Sequence, residues 1–299
     1  VRPRLTPNVR KMIRRIVPVA IGAGVYQVSL LIDTIIASLL PAGSISYLFF
    51  ADRVNQLPLG VVGIAVGTAL LPLLARQVKA GETEAALTNQ NKAIEYSMLL
   101  TLPACAALLV LAVPITVVLF ERGAFTGSDA SATGYALAAF ACGLPAYVLI
   151  KVLAPGYFAR ENTATPIKIG IFAMAVNVAL NLLLMGPLAH VGIALATAIS
   201  AWLNAGLLGF GLWRRGHFTP DRNLAWHLSK MMAGALIMAG ALWAALGLLA
   251  EPLAGSQVER FAALAGLVLG GGVLYFALAH VMGAARIDLL WRSRGREIE

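Results

Sequence analysis

Long uninterrupted runs of apolar residues recur along the whole chain and constrain its fold more than any other feature. Eight of them approach the roughly 20 residues that a helix needs to cross a bilayer. Strands are disfavoured because the runs are too long and lack the alternation of a membrane barrel. A helix also satisfies its backbone hydrogen bonds internally, as hydrocarbon demands. The sequence therefore predicts an all-α transmembrane bundle with spans at about 17–40, 45–73, 94–120, 131–156, 166–186, 190–213, 228–250 and 260–282.

The composition agrees with this interpretation. Of the 299 residues, 59% are hydrophobic and 12% are charged, whereas soluble domains carry about 25% charged residues. This balance excludes an ordinary soluble enzyme, a disordered chain and a small secreted disulfide scaffold. The two cysteines, Cys105 and Cys142, lie inside apolar runs. We expect them to be small buried hydrophobic side chains without a disulfide or a metal.

Lysines and arginines alternate between the loops in a way that tests the predicted spans. Nineteen precede the first span, follow the last, or lie in the second, fourth and sixth loops, whereas only Arg122 and Arg260 lie in the others. Basic residues concentrate on the cytoplasmic side, so we predict eight spans with both chain ends cytoplasmic. The net charge of +9 then reflects topology and contact with anionic lipids, and nucleic-acid binding is disfavoured.

The first sixteen residues form a segment of their own. Thr6 and Pro7 resemble the start of a helix, and apolar and basic side chains then alternate with helical spacing. We predict a basic amphipathic helix over 1–16 that lies on the inner leaflet, with a simple topogenic charge cluster as the alternative. The chain begins with Val1, and its first fifteen residues are basic, so we expect no signal peptide. We expect the chain to be part of a longer polypeptide, with a processed product as the alternative.

Four charged residues fall inside the predicted spans: Asp33, Asp52, Arg53 and Lys151. Charges at this depth are costly and mark functional sites by default. Arg53 presents a fork of donors that suits a phosphate or pyrophosphate, and the alternative is an internal salt bridge with Asp33. Asp52 points about 100° away from Arg53 on the helix. Lys151 either lines a cavity or extends its amine to the membrane surface.

A second candidate site consists of neutral polar residues. Asn177 and Asn181 share one helix face because they are four residues apart, and Thr197 lies in the next predicted span. With the Asp33 carboxylate they would supply the oxygen ligands that a small cation prefers. Na⁺ or a proton would then be the coupling ion. The alternative is ordinary hydrogen bonding between membrane helices.

Sequence motifs for catalysis are absent. The chain has no GxSxG, HExxH or Walker motif, and its four histidines lack ligand spacing. We therefore predict that the protein is not an enzyme and needs no cofactor beyond the possible coupling ion.

Three stretches of the sequence resemble one known family. YLFFADRVNQLPLGVVGIAVGTALLPL at 47–73, VLFERGAFTGSDA at 118–130 and KVLAPGYFARENTATPIKI at 151–169 are similar to the MurJ/MviN family of bacterial lipid II flippases, within the MOP exporter superfamily. The stretch at 177–187 is similar as well, and the order and spacing agree along most of the chain.

The resemblance implies a domain organisation. Residues 17–213 would form the six-helix second lobe of the transporter, after a linker at 1–16. A cytoplasmic loop at 214–227, a two-helix lipid-tail groove at 228–282 and a cytoplasmic tail at 283–299 would follow. The first lobe of the family would be missing from this chain.

The resemblance also implies site residues. Arg53 matches a cavity arginine of the family's ADR motif, and Asp52 matches its acidic neighbour. Many members carry glutamate where this chain has Gln56, so an acidic role at that position is in doubt here. The cation site of the family corresponds to Asp33, Asn177, Asn181 and Thr197, with the backbone oxygen of Ile193 as a further ligand.

The function that the resemblance implies is alternating-access translocation of lipid II, with headgroup phosphates at Arg53. The alternatives are another exporter of the superfamily, for a multidrug or lipid-linked polysaccharide substrate, and a non-transporting scaffold of cell-wall assembly. An integral-membrane enzyme is the least favoured class.

Overall fold

The computed structural model describes residue 24 and residues 27–283, with the backbone alone at 64–68 and 254. The predicted surface helix at 1–16 lies outside these residues, as does the predicted tail beyond residue 283. From 27 to 283 the chain is helical apart from short connections, and its β contact is an isolated bridge between Arg122 and Phe125. The prediction of an all-α fold is confirmed.

Most helices coincide with a predicted span. The helices of the described residues are α1 (Gln27–Ala37), α2 (Ser44–Lys79), α3 (Thr83–Phe120), α4 (Gly127–Phe158), α5 (Ala164–Arg214), α6 (Arg222–Leu248), α7 (Ala250–Ala254) and α8 (Gln257–Val281). Five of these, α3, α4, α5, α6 and α8, are long and apolar enough to cross a membrane. The count of eight spans stays a prediction.

Helix α5 is a hairpin of two helices. Its 51 residues would extend about 77 Å as one straight helix, far beyond the roughly 30 Å of a bilayer core. The backbone leaves helical geometry at Ala189, with φ 47° and ψ −130°. A Cβ placed on Gly192 would lie 2.4 Å from the carbonyl oxygen of Leu184, so the chain folds back on itself at Ala189. The two halves match the predicted spans 166–186 and 190–213.

Side-chain contacts group the connections into two ends. At the aromatic end, the Tyr47 ring lies 5.2 Å from His190 and 6.4 Å from Phe125, so the starts of α2 and α4 meet the α5 reversal. At the basic end, Arg215 Nη2 donates to Thr165 Oγ1 at 3.4 Å, which joins the beginning and the end of α5. Successive helices therefore run antiparallel between the two ends.

Helix α4 is the centre of the lobe and packs against α2, α3 and α5. Small residues permit these close approaches. A Cβ on Gly134 would lie 2.8 Å from the Cα of Val113 on α3, and one on Gly143 would lie 2.8 Å from the Cα of Ala198 on α5. Small residues at helix crossings are typical of membrane bundles, where packing drives association.

Helices α6 and α8 form a pair that packs on α3. Asp221 and Ser256 cap these helices, since their side chains accept hydrogen bonds from the backbone of the first turns. Both capping residues lie outside the predicted spans. Each helix consequently begins three to six residues earlier than its predicted apolar run.

The prediction that both cysteines are buried is wrong for one of them. Cys105 is half-buried and its thiol donates to the carbonyl oxygen of Ala141 at 3.1 Å. Cys142, the next residue on α4, is exposed. An apolar run predicts a membrane-length helix, but it does not show which face of that helix packs against other helices.

Candidate functional site

One hydrogen-bonded network joins α1 to both halves of α5. Asn181 Nδ2 donates to Asp33 Oδ1 at 2.6 Å and to Asn177 Oδ1 at 3.2 Å. Asn177 Nδ2 donates to Thr197 Oγ1 at 3.3 Å, and the Thr197 hydroxyl donates to the carbonyl oxygen of Ile193 at 2.9 Å. The structure thus brings together all five residues of the predicted cation set. We call them the Asp33 network.

The hairpin explains this convergence. Asn181 precedes Ala189 by eight residues and Thr197 follows it by eight, so both lie about 12 Å from the reversal. Asn177 and Asn181 then point at the same side because they are four residues apart. The predicted break between the spans 166–186 and 190–213 already places these residues at a similar depth, but it does not show which of them are in contact.

The two asparagines of the Asp33 network are buried, whereas Asp33 and Thr197 are half-buried, and the network is incompletely satisfied. Asn177 is 2% exposed and Asn181 is 0% exposed, and Asn181 Oδ1 has no hydrogen-bond partner among the described residues. If the Asn177 amide is turned by 180°, its nitrogen lies 2.9 Å from Asp33 Oδ1 and its oxygen accepts from the Thr197 N–H at 3.3 Å. In this orientation the Asn177 nitrogen also lies 3.2 Å from Asn181 Nδ2, so two donor groups face each other. The polar atoms of the cluster are thus not all satisfied by one another.

Arg53 lies on an exposed apolar stripe of α2. Its neighbours at four-residue spacing are Ile45 (46% exposed), Phe49 (53%), Leu57 (67%) and Val61 (69%). The Arg53 guanidinium lies over the Phe49 ring, 4.9 Å from its centroid. No acidic partner of Arg53 is found in the described part of the chain, and Asp33 is paired with Asn181 instead. The predicted alternative of an Asp33–Arg53 salt bridge is therefore not adopted here.

Asp52 and Gln56 contact each other one turn apart on α2. The Gln56 amide donates to the Asp52 carboxylate, and both side chains are half-buried. The Asp52 carboxylate is thus hydrogen-bonded along its own face of the helix, with Arg53 as the adjacent residue. The Gln56 amide donates a hydrogen bond to Asp52. A glutamate at this position could donate one only in its protonated form.

Lys151 extends from α4 across the surface of α2. A Cβ on Gly63 would lie 2.6 Å from Lys151 Nζ, so the ammonium lies beside α2. Gly63 follows Asp52 by eleven residues, about three helical turns, and therefore shares its face at a distance of about 16 Å along the axis. The structure brings Lys151 to the same helix as Asp52 and Arg53 but not into contact with either.

The predicted spans contain further charged residues beside the four candidates: Glu95 and, at the span edges, Lys168, Lys230 and Arg260. The predicted span 94–120 contains Glu95, whose Oε1 lies 2.9 Å from Nδ1 of His227 on α6. The sequence does signal this acid at an apolar run, but it does not reveal the histidine partner 132 residues further on. A second pair, Glu121 with Arg260 at 2.9 Å, joins α3 to the start of α8.

Comparisons with known proteins give a consistent result. A family model described as "Lipid II flippase MurJ" matches residues 1–263. The "Probable lipid II flippase MurJ" of Rhizobium meliloti is 46% identical over 294 residues, which cover 98% of this chain and 55% of that protein. The Vibrio cholerae protein of the same description is 38% identical over 283 residues, 95% of this chain and 54% of its own length. The chain thus spans about half the length of these relatives.

Solved structures share the fold. A lipid II flippase MurJ in an inward closed conformation superposes with a TM-score of 0.75 at 23% identity, over 97% of this chain and 58% of that one. An outward-facing MATE multidrug resistance transporter of the MOP superfamily superposes with a TM-score of 0.56 at 16% identity, over 88% and 62%.

The structure therefore has the helical membrane-protein fold of these two solved structures. The matched family model and the identity to the relatives go further: the chain belongs to the MurJ family of lipid II flippases. The resemblance seen in the motifs is confirmed. This family is one of transporters and not of catalytic enzymes, and with five membrane-length helices the chain is a multi-pass inner-membrane protein.

Proposed function

We propose that the protein translocates lipid II, the undecaprenyl-pyrophosphate-linked peptidoglycan precursor, across the inner membrane by alternating access. This chain would supply the second lobe and half of the central cavity, and a first lobe of the same protein would supply the rest. No covalent step and no organic cofactor belong to the proposal. The observation that carries it is the place of Arg53 on α2.

Arg53 is a permanent cation in the middle of an exposed apolar stripe. Such a charge at bilayer depth is not stable against lipid and faces water or a bound anion instead. This favours a cavity on the Arg53 side of α2. The guanidinium is free to form paired hydrogen bonds with a pyrophosphate, because its described contact is the Phe49 ring.

Asp52, Gln56 and Lys151 would assist on the same surface. The Gln56 amide orients Asp52, whose carboxylate then suits hydroxyl or amide donors of the sugar and peptide. The Lys151 ammonium beside Gly63 would meet headgroup phosphates nearer the basic end. The separation of about 16 Å between Asp52 and Lys151 suits a headgroup larger than a simple drug cation.

The grouping of the loops supports a topology of eight spans with both ends of the chain in the cytoplasm. The basic end carries Arg160, Lys168, Arg214, Arg215 and other lysines and arginines and would face the cytoplasm. The aromatic end would face the periplasm. Anionic lipids of the inner leaflet would contact the basic end.

Helices α6 and α8 would form the groove for the undecaprenyl chain. Their exposed surfaces are apolar, with Leu236 at 65%, Trp243 at 74%, Leu269 at 70% and Val273 at 71% exposure. An apolar surface of this kind suits a polyprenyl tail that remains in the membrane while the headgroup crosses.

The Asp33 network would bind the coupling ion, Na⁺ or a proton. Its carboxylate, amide, hydroxyl and carbonyl oxygens are hard ligands for a small cation. The unpartnered Asn181 Oδ1 supports this role, because a buried acceptor without a donor is satisfied by a cation. Moving one charge through 100 mV is worth about 2.3 kcal/mol, which suffices to bias one step of the cycle.

The test is complementation of cells in which the host lipid II flippase is depleted. Arg53→Ala in the native-length protein should cause lysis at normal membrane abundance. Arg76→Ala is the matched control, because Arg76 is an exposed arginine in the last turn of the same helix, and it should sustain growth.

Two results would contradict the proposal. Normal growth of Arg53→Ala would favour the scaffold interpretation. Lysis accompanied by unimpaired movement of labelled lipid II in vesicles would assign Arg53 to another exported substrate.

A further inference from the structure

A polar cleft of about 380 Å³ lies between the first turns of α3 and α6 at the basic end. It is separate from the Arg53 stripe and from the Asp33 network. Its walls include Asn91, Lys92, Glu95, Asp221, Asn223 and His227. We call it the α3–α6 cleft. Its volume falls within the range of sites that hold small ligands.

The walls of the α3–α6 cleft are held in place by contacts across it. Asn91, which is 7% exposed, donates from Nδ2 to the carbonyl oxygen of Thr219 at 2.9 Å. Glu95 Oε1 lies 2.9 Å from His227 Nδ1. These contacts join α3 to the segment that leads into α6, so the cleft is formed before any ligand enters it and little ordering is needed on binding.

The charges in the cleft select the ligand class. Glu95 and Asp221 are carboxylates, whereas Lys92 is an ammonium. A simple anion meets two carboxylates here, and the described residues contain no group of three His, Cys, Asp or Glu side chains suited to a metal ion. A zwitterion with one ammonium and one phosphate matches both signs. Its ammonium would contact the carboxylates and its phosphate would contact Lys92 and the Asn223 amide.

The position of the cleft points to a lipid headgroup. Trp226 is 62% exposed, and Lys230 Nζ lies 5.1 Å from the centroid of its ring. Exposed tryptophan beside lysine is typical of the membrane–water interface. On α3, the exposed Tyr96 (56%) and Leu100 (43%) continue from Glu95 toward the bilayer interior and offer an apolar path for acyl chains.

We propose that the α3–α6 cleft binds phosphatidylethanolamine from the leaflet at the basic end. The primary ammonium of this lipid donates hydrogen bonds to Glu95 and Asp221. Phosphatidylcholine has a quaternary ammonium without N–H donors, and phosphatidylglycerol has no ammonium at all. The cleft therefore distinguishes these three lipids by their headgroups.

The experiment is a titration of the native-length protein in detergent with each of the three lipids, with identical acyl chains, followed by native mass spectrometry. Phosphatidylethanolamine should bind about tenfold more tightly than the other two, as expected for one additional charge-assisted contact. Soluble glycerophosphoethanolamine should displace it, and glycerophosphocholine should not.

The variants keep the shape of the cleft. The double substitution Glu95→Gln and Asp221→Asn removes both charges, while asparagine still caps α6 as Asp221 Oδ1 does toward the Leu224 N–H at 2.8 Å. It should lower the affinity for phosphatidylethanolamine about tenfold and should not lower that for phosphatidylglycerol, because two like charges near an anion are removed. Glu84→Gln is the matched control, because Glu84 is an exposed acid of the first turn of α3 outside the cleft.

Equal affinity for the three lipids would overturn the proposal, and so would unchanged binding by the double variant. If the double variant unfolds, Lys92→Gln replaces it. Lys92 is exposed, and its loss should weaken binding of phosphatidylethanolamine; unchanged binding would contradict the proposal. None of these measurements requires transport, so the result is independent of the proposed flippase activity.

Discussion

Asn181 presents an amide nitrogen, not an oxygen, to Asp33, with Nδ2 donating to Oδ1 at 2.6 Å. A carboxylate held in this way has its charge compensated by hydrogen bonds. A cation bound between these residues would need an amide oxygen that faces Asp33, and turning the Asn181 amide by 180° would supply one without a change of shape. The orientation of the Asn181 amide therefore distinguishes interhelical hydrogen bonding from the proposed cation binding.

Asn181→Asp tests this relationship. The substitution replaces the donor with a second carboxylate beside Asp33 in a fully buried position, where an uncompensated charge is strongly destabilising. In choline chloride we expect the melting temperature of the native-length protein to fall by about 5 °C or more. In sodium chloride it should recover, because a cation between the carboxylates restores neutrality.

The control for this variant is Asn223→Asp, which adds the same charge at an exposed position. It should show no difference between the two salts. The melting temperature of Asn181→Asp could also be the same in both salts at constant ionic strength. That result would contradict a Na⁺ site and would favour the proton as the proposed coupling ion.

Gly192→Ala tests the hairpin of α5. The new methyl group would lie 2.4 Å from the carbonyl oxygen of Leu184, so the two halves must separate. We expect a loss of about 1–3 kcal/mol in the free energy of unfolding, as for overpacked cores. Chemical denaturation followed by tryptophan fluorescence measures it.

Gly206→Ala is the matched control on the same helix. A Cβ there has no neighbour within 4 Å, and alanine is the better helix former by up to about 1 kcal/mol. This variant should be as stable as the native protein or more stable. Equal stability of both variants would mean that the halves do not approach at Gly192.

The pair Glu121–Arg260 joins α3 to α8 at the aromatic end, with 2.9 Å between Oε2 and Nη1. Both side chains remain about one-third exposed, at 31% and 27%, so solvent weakens the attraction. A double-mutant cycle with Glu121→Gln and Arg260→Gln should give a coupling energy of about 0.2–1 kcal/mol. Additive effects of the two substitutions would show that the ion pair does not hold α8.

His217 should make the stability of the basic end depend on pH. Partial burial, with the Arg160 and Arg215 guanidiniums nearby, holds the pKa of His217 below its ordinary value of 6.5. The unfolded chain therefore binds the proton more readily than the folded one, and stability falls as the pH drops below about 6.5. The melting temperature measured between pH 8 and pH 5.5 reports this loss.

His217→Gln should reduce that dependence on pH. The comparison variant is His280→Gln, at an exposed histidine in the last turn of α8, which should behave as the native protein does. An unchanged slope in His217→Gln would assign the acid sensitivity to other groups.

The sequence predicts the helices well because each membrane helix must satisfy its own backbone. It predicts the members of the Asp33 network as well, since polar residues in apolar runs are conspicuous. It also places the reversal of α5 between the spans 166–186 and 190–213, but it does not predict the contacts within the network, which depend on how α1 packs against α5.

Partnerships between distant polar residues are the part that sequence reasoning misses. Glu95 and His227 lie on different helices, and only packing of α6 on α3 brings them together. The exposure of Cys142 could not be predicted either. The apolar segment around it is apolar on every face, so its exposed side depends on which helices pack against it. Apolar periodicity carries little information when both the core and the solvent are hydrocarbon.

Because α5 reverses at Ala189, its two halves are two helices joined at one end. Thr197 lies about 12 Å from Ala189 and Arg214 lies about 37 Å from it, while the contact of Gly192 with Leu184 fixes the pivot. A widening of 1 Å between the halves at Asn181 and Thr197 is therefore amplified to about 3 Å at Arg214. A small separation of the halves beside the Asp33 network therefore corresponds to a much larger one at the basic end, where Arg215 contacts Thr165.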